Sequence, residues 1–448
     1  MSALGQRLGK LFRLSHTSYV LLCIGMLMLA AICKEPRWDR NDVFVSDRGG
    51  YYMYLPSAFL LHDLGDGTWV TQARVASRPD IDPQWDFVKL PNGKTVFKFP
   101  MGMSVAYSPY FFLAKTAYQV QGRTGTTGYE RAYQYMISLG CMLYVLLGLL
   151  LLGRELRHFF ADHVAALTLL VLALGSNLFS YATHEALMAH GTLFLLNTLL
   201  LIFTRRWYER GRLADAVALG LTGGLMVLVR PSEVLLLTVP VLYGLTSWAA
   251  VGERLQLWLR RWQHCLLIGA LILGVGGMQF VFWKLVGGMW VVPFYAGETF
   301  HFNDPHVLEG LFSFQKGWLL YSPLMALAIV GTLWVRRWAP AVFPVLLILF
   351  PVFVYVTFCW WNWQYGGSYG GRAMISIYPV LSFGLAAFWQ RFIGQTTRLG
   401  VAPVLLGTLT LALLLLSLTQ NYQFSRGIID CCYETKEMYL SRFGQLSW

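Results

Sequence analysis

Long apolar runs joined by short loops, with basic residues in every second loop, constrain this chain more than any single motif does. Eleven such runs can be read, at about 17–33, 133–153, 164–181, 186–203, 214–229, 233–250, 265–286, 318–335, 340–359, 373–390 and 399–419. As helices rising about 1.5 Å per residue, runs of ~17–22 residues reach about 25–33 Å, enough to cross a hydrocarbon core of roughly 30 Å. Charged residues are 13% of the sequence, against about 25% in soluble domains. The expected fold class is an all-α polytopic membrane protein with about eleven transmembrane helices.

The formal charge of +12 would fit a nucleic-acid binder if it formed a patch. It does not. Arg7, Lys10 and Arg13; Arg154 and Arg157; Arg205, Arg206, Arg210 and Arg212; Arg254, Arg260 and Arg261; Arg336 and Arg337; and Arg391 and Arg398 all fall on one side if the N-terminus is cytoplasmic. The short loops on the other side are nearly free of basic residues. This is the positive-inside rule acting along the whole chain, so the excess is topological and no nucleic-acid partner is expected. The first span can serve as its own start signal without a cleavable leader.

Four regions follow. Residues 1–33 form a cytoplasmic N-terminus and first span, 34–132 a large outer loop, 133–419 the multi-span part, and 420–448 an outer tail. Within the outer loop, "YYMYLPSAFLLHDL" (51–64) and "MGMSVAYSPYFFLAKTAY" (101–118) read as two juxtamembrane helices with tyrosines at headgroup level. The second can alternatively enter the bilayer and return. The stretch between them reads as an ordered loop, with "PNGK" (91–94) as a turn, potentially that of a hairpin.

Five groups on the outer side carry candidate chemistry. Asp47, before Gly49 and Gly50, reads as a general base if apolar walls raise its pKa, or as a helix cap or solvated acid. The glycines allow positive φ and close approach. Asp39, Asp42, Asp63, Asp80 and Asp82 compete for the role. Lys98, in "VFKFPMG", suits a lipid phosphate or generic headgroup attraction. Arg372 ends "WWNWQYGGSYGGR", where Trp361, Trp363 and Tyr369 form an aromatic platform beside paired glycines. His184, Glu185 and His190 lie in "HEALMAH", whose HExxxxH spacing is not the zinc-protease HExxH. The two histidines can share one helix face. Arg230 breaks the charge rule on the outer side, as a functional residue or by snorkelling to headgroups. Glu298, His301, Asp304 and His306 are further polar candidates.

Absences narrow the classes. There is no Walker motif, no GxGxxG after a strand, no GxSxG and no CxxC, and mid-span charges are scarce, unlike in ion-coupled transporters. Of seven cysteines, Cys431 and Cys432 are adjacent on the outer side, with their chemistry open.

Four elements in order resemble the GT-C superfamily of integral-membrane glycosyltransferases, which use lipid-phosphate-linked sugars. The superfamily includes protein O-mannosyltransferases and enzymes that add aminoarabinose to lipid A. The elements are "SDRGGYYMYLPS", "FKFPMG", "GWLLYSP" (317–323) and "WNWQYGGSYGGR". By position, Asp47 matches the first-loop catalytic aspartate and Lys98 the lysine near the lipid phosphate. Arg48 stands where the group has Gly, Met101 replaces the second Pro, and the common aspartate–glutamate pair is missing at 47–48. No cofactor is implied with certainty, and a divalent metal stays open.

The resemblance implies an inverting transfer from a polyprenyl-phosphate sugar to an envelope lipid, glycan or protein, at the periplasmic face of a bacterial inner membrane. Asp47 would be the base, with Lys98, Arg372 and Arg230 at the donor phosphate. Arg48, Tyr51, His184, Glu185, Trp361, Trp363 and Tyr369 would contact substrate. Arg48 would either pair with Asp47 or meet the phosphate. The rival function is a flippase or carrier of lipid-linked saccharides that forms no glycosidic bond.

Overall fold

Prolines and glycines divide the apolar runs into long helices and broken ones. The computed structural model describes residues 15–80, 87–293, 297–393 and 401–447. Asp82, Arg7, Lys10, Arg13 and Arg398 lie outside the described residues. The described chain is mostly helical. Five of its helices are long and apolar enough to cross a membrane: His16–Asp39, Arg131–Leu156, Trp262–Gly287, Arg372–Phe392 and Pro403–Ser425.

The other runs are shorter or interrupted, except 186–203, most of which lies in the long but more polar helix Ala189–Arg210. Run 318–335 becomes Trp318–Tyr321 and Met325–Trp338, parted at Pro323, because proline cannot donate the helical N–H and its ring displaces the preceding turn. Run 164–181 breaks at Gly175 between Asp162–Leu174 and Leu178–Ala182. The run read at 233–250 is not one helix. A 3₁₀ segment, Pro231–Thr238, passes into Val239–Leu242, and a separate helix, Trp248–Arg260, begins six residues on with no buried side chain.

The first loop is built differently from its reading. "PNGK" does turn a hairpin: Phe87–Lys89 pairs antiparallel with Thr95–Phe97, and Gly93 supplies the positive φ. The preceding stretch contains a helix, Thr68–Ser77, where only loop was expected. Segment 51–64 holds the end of one short helix, Asp47–Tyr52, and the whole of another, Tyr54–Phe59, and 101–118 lies in one helix, Gly102–Val120, which accommodates Pro109.

The tyrosines at 51, 52 and 54 are not headgroup anchors. They are buried in protein, because their rings find aromatic partners and the hydroxyls of Tyr52 and Tyr54 find carbonyls. Tyr52 stacks on Phe44 at 3.7 Å and donates to Gly128 O at 2.5 Å. Tyr54 donates to Phe99 O at 2.8 Å. Aromatic pairs of this kind contribute about 0.5–1.5 kcal/mol each beyond area burial. Gly49 and Gly50 are helical rather than positive in φ. Close approach does hold at Gly49, where a Cβ would lie 2.6 Å from Phe44 O.

Arg372–Phe392 is the most enclosed of the long helices and packs on Met325–Trp338 and Ala189–Arg210. At its start, Trp318 Nε1 donates to the Tyr378 hydroxyl at 2.9 Å, which donates to Asn177 Oδ1 at 2.6 Å. Asn177 Nδ2 in turn donates to Gly370 O. A buried polar chain with its members paired is rigid, and this one fixes the turn that carries Arg372.

Candidate functional site

Segments from the first loop, the 183–188 turn, Arg230–Leu235, residues 298–300, the 360–373 turn and the tail line one cavity of about 970 Å³. Five of its lining residues are Arg or Lys (Arg37, Arg48, Lys98, Arg230, Arg372) and five are Asp or Glu (Asp47, Glu185, Glu233, Glu298, Asp430).

Asp47 begins a helix after Ser46, whose φ of +55° with ψ of −144° is a backbone state that L-residues avoid. Such strain costs on the order of 1–3 kcal/mol and gathers at functional sites. Asp47 Oδ2 accepts from Arg372 Nη2 at 3.1 Å, so the carboxylate lies against a guanidinium, not the apolar wall read from the sequence. Arg372 Nε is buried and has no hydrogen-bond partner among the described residues. Arg372 follows Gly370 and Gly371, with φ of +49° and +58°. A Cβ on Gly371 would lie 2.8 Å from Trp318 Cβ, so the turn needs glycine on both counts.

Arg48 does not pair with Asp47. Its Nη1 donates to Glu185 Oε2 at 2.8 Å, and Arg37 Nη2 donates to Glu185 Oε1 at 2.8 Å. Burial lowers the Arg48 pKa, the Glu185 charge opposing it. For Glu185, burial pushes the pKa up, but Arg37 and Arg48 outweigh it and hold the carboxyl below its usual range. Lys98 Nζ lies 3.3 Å from Glu298 Oε1, and Glu298 Oε2 accepts from Trp361 Nε1 at 3.3 Å. The guanidinium of Arg230 sits 5.7 Å from the Tyr365 ring centre, and burial raises the Tyr365 pKa.

Of the eleven residues expected to act as base, hold the donor phosphate or contact substrate, Asp47, Arg48, Tyr51, Lys98, Glu185, Arg230, Trp361 and Arg372 line this cavity. Three do not. His184 lines a smaller neighbouring pocket with Arg37 and Trp38. Trp363 lies over His306, ring centres 5.8 Å apart. Tyr369 is buried between Tyr321 and Phe424. His190 does line the cavity, so the two histidines do not serve one pocket. His301, Asp304 and His306 stay outside it.

The competing acids are engaged elsewhere. Asp39 pairs with Arg131 at 2.6 Å, Asp42 with Arg78 at 3.1 Å and Asp80 with Arg78 at 2.6 Å. Asp63 accepts from Val70 N at 3.0 Å.

Sequence reading missed Arg37, Glu233, Trp360's neighbour Phe300 and the tail residues Phe424, Ser425, Gly427, Ile429, Asp430 and Cys431 as cavity walls. The Phe300–Trp360 bridge, the bond from Trp361 N to Thr299 O at 2.9 Å and that from Trp361 Nε1 to Glu298 bring residues 298–300 to the tryptophans. No local signal announces that pairing.

The cavity carboxylates do not converge as a metal cage would. Asp47, Glu185 and Glu298 each face a cation, while Glu233 accepts from Asn197 at 3.2 Å and Ser376 at 2.9 Å. The donor set does not fit a divalent cation, which takes several oxygens at once. Among the described residues the one three-ligand grouping is Asp430, Cys431 and Cys432. No family model matches the chain, and no curated protein matches it.

Proposed function

We propose that the chain is an integral-membrane glycosyltransferase that moves a sugar from a polyprenyl phosphate to an envelope acceptor. In this reading the eleven apolar runs cross or enter the bilayer, the basic loops lie in the cytoplasm, and the cavity opens on the periplasmic side of a bacterial inner membrane. One observation carries the proposal: Asp47, Arg372, Arg230, Lys98 and two tryptophans, gathered from across the sequence, line the same cavity. Its volume is of the size that takes a small ligand, about 300–1,000 Å³.

The chemistry follows from charge. Asp47 takes the proton of the acceptor hydroxyl as that oxygen attacks C1 of the sugar. The C1–O bond to the lipid phosphate breaks with inversion, and negative charge grows on the departing phosphate. Arg372, Arg230 and Lys98 stabilise that charge, which preorganised cations do most strongly where water is excluded. The unpartnered Nε of Arg372 leaves a donor for a phosphate oxygen while Nη2 still holds Asp47. Trp360 and Trp361 offer flat apolar faces to the sugar. No step here uses a metal.

The test compares envelope glycans and the lipid-linked sugar pool, by mass spectrometry, in cells with the wild type, no protein, or Asp47→Asn. The expected result is loss of one glycan sugar and accumulation of its lipid donor in the last two, with Asp47→Asn expressed normally. Full transfer by Asp47→Asn overturns the base assignment. Saccharide-lipid movement across the membrane without a new glycosidic bond would favour a carrier instead.

A further inference from the structure

Beside the cavity, the tail presents a feature that the transfer chemistry does not use. Cys431 and Cys432 are neighbours in sequence and their sulfurs lie 2.8 Å apart. Cys431 is exposed and lines the cavity. The local turn is fixed by Asp430, whose Oδ1 accepts from Cys432 N at 2.7 Å and Tyr433 N at 2.8 Å.

Opposite this turn sits Lys316, a lysine buried to 2% exposure. Its ammonium donates to the Cys431 carbonyl, to Gly366 O at 2.7 Å and to Ser368 O at 2.8 Å. Ser368 N also donates to Cys431 O, at 3.3 Å. Between them is Gly367, whose added Cβ would meet both cysteine sulfurs at 3.7 Å. One carbonyl, that of Cys431, therefore ties the tail to the glycine-rich turn that leads to Arg372.

We propose that Cys431 and Cys432 form a redox-responsive vicinal dithiol whose closure to a disulfide changes the conformation of the 366–371 turn through Lys316. The reason is topological. The peptide group joining the two cysteines lies inside the ring that a disulfide between them closes, and its oxygen is the one Lys316 and Ser368 hold. Adjacent Cα atoms are about 3.8 Å apart across a trans peptide, short of the roughly 4.4–6.8 Å usual for disulfide-linked pairs. Ring closure must rotate that peptide, and the oxygen moves with it. The buried ammonium then loses or redirects one of its acceptors, at a cost that rises with burial.

The oxidant is an external disulfide, such as glutathione disulfide or the disulfide of a thiol oxidoreductase. A cysteine thiolate attacks it to give a mixed disulfide, and the neighbouring thiol displaces the second sulfur. Two S–H bonds are lost and one S–S bond forms in the protein. Two electrons and two protons pass to the oxidant, which leaves as two thiols. A metal is a weaker occupant, since Asp430 Oδ1 already accepts two backbone N–H groups and a structural zinc takes four ligands.

The experiment uses the full chain in detergent, treated with glutathione disulfide or a phosphine reductant, alkylated with N-ethylmaleimide and analysed by peptide mass spectrometry. The reduced protein should carry label on both cysteines. The oxidised protein should give an unlabelled 431–432 peptide lighter by two hydrogens. Hydrogen exchange at 366–371 should change by about threefold or more on oxidation of the wild type, and not in Cys431→Ser or Cys432→Ser. The proposal is overturned if both thiols still alkylate after oxidation, if the disulfide joins two molecules, if exchange at 366–371 is unmoved, or if zinc alone protects both thiols. None of these readouts involves sugar transfer, so their failure leaves the transferase reading intact, and the reverse also holds.

Discussion

Asp47 and Arg372 are 325 residues apart in sequence and 3.1 Å apart in space. The pair joins the helix start after the first apolar run to the start of the most enclosed helix. Both side chains are more than three-quarters buried, so removing one partner leaves a poorly solvated charge. A double-mutant cycle with Asp47→Asn and Arg372→Gln, followed by denaturant unfolding in detergent, is expected to give a coupling of about 0.5–3 kcal/mol. Additive losses would mean that the pair does not hold the two segments together.

Much of this site was legible because its residues break local rules. Arg230 and Arg372 stand where basic residues are scarce, and the paired glycines before Arg372 signal positive φ, found at Gly370 and Gly371. The partnerships were not legible. Asp47 has an arginine beside it in sequence, yet Arg48 turns to Glu185 and leaves Asp47 to Arg372. Only three-dimensional closure decides such a choice. The burial of Tyr51, Tyr52 and Tyr54 was missed for a related reason. Tyrosine suits both a membrane interface and a core with hydroxyl acceptors, and those acceptors, Gly128 O and Phe99 O, come from distant chain.

Glu185 should make stability depend on pH at the acid end. Its folded pKa lies below the ordinary value, because Arg37 and Arg48 outweigh its burial. A depressed carboxyl contributes stability that is fully present above the unfolded pKa, about 4.3, and is lost as pH falls through the folded one. Wild-type melting temperature should therefore fall as pH drops below about 4.3, and Glu185→Gln should flatten that fall while lowering stability at pH 7. Equal slopes in the two proteins would refute the clamp.

Glu298 bridges Lys98 and Trp361, so an incoming phosphate must compete with a carboxylate for the lysine. Glu298→Gln keeps a group able to accept from the indole but removes the competing charge. Binding of a polyprenyl phosphate to the protein in nanodiscs should tighten by about 2–10-fold in this variant and weaken in Lys98→Ala, on the scale of one charge-assisted contact. If Glu298→Gln leaves affinity unchanged or weakens it, Lys98 is not held in reserve for an anion.

Gly366 and Gly371 provide a matched pair for the turn that carries Arg372. Both have positive φ, +61° and +58°, so alanine costs about 1–2 kcal/mol of backbone energy at either. They differ in surroundings. A methyl added at Gly366 would meet nothing within 4 Å, whereas at Gly371 it would meet Trp318 Cβ at 2.8 Å and Trp318 Cα at 3.1 Å. Trp318 is fully buried and its indole is tied to Tyr378, so it cannot yield cheaply, and overpacking of this kind adds about 1–3 kcal/mol. Gly371→Ala should thus lower the melting temperature clearly more than Gly366→Ala. It should also displace Arg372, so that mutating Asp47 to Asn in the Gly371→Ala background costs less than in the wild type. Equal melting temperatures for the two alanine variants would show that the Trp318 contact relaxes and that backbone strain alone sets the cost.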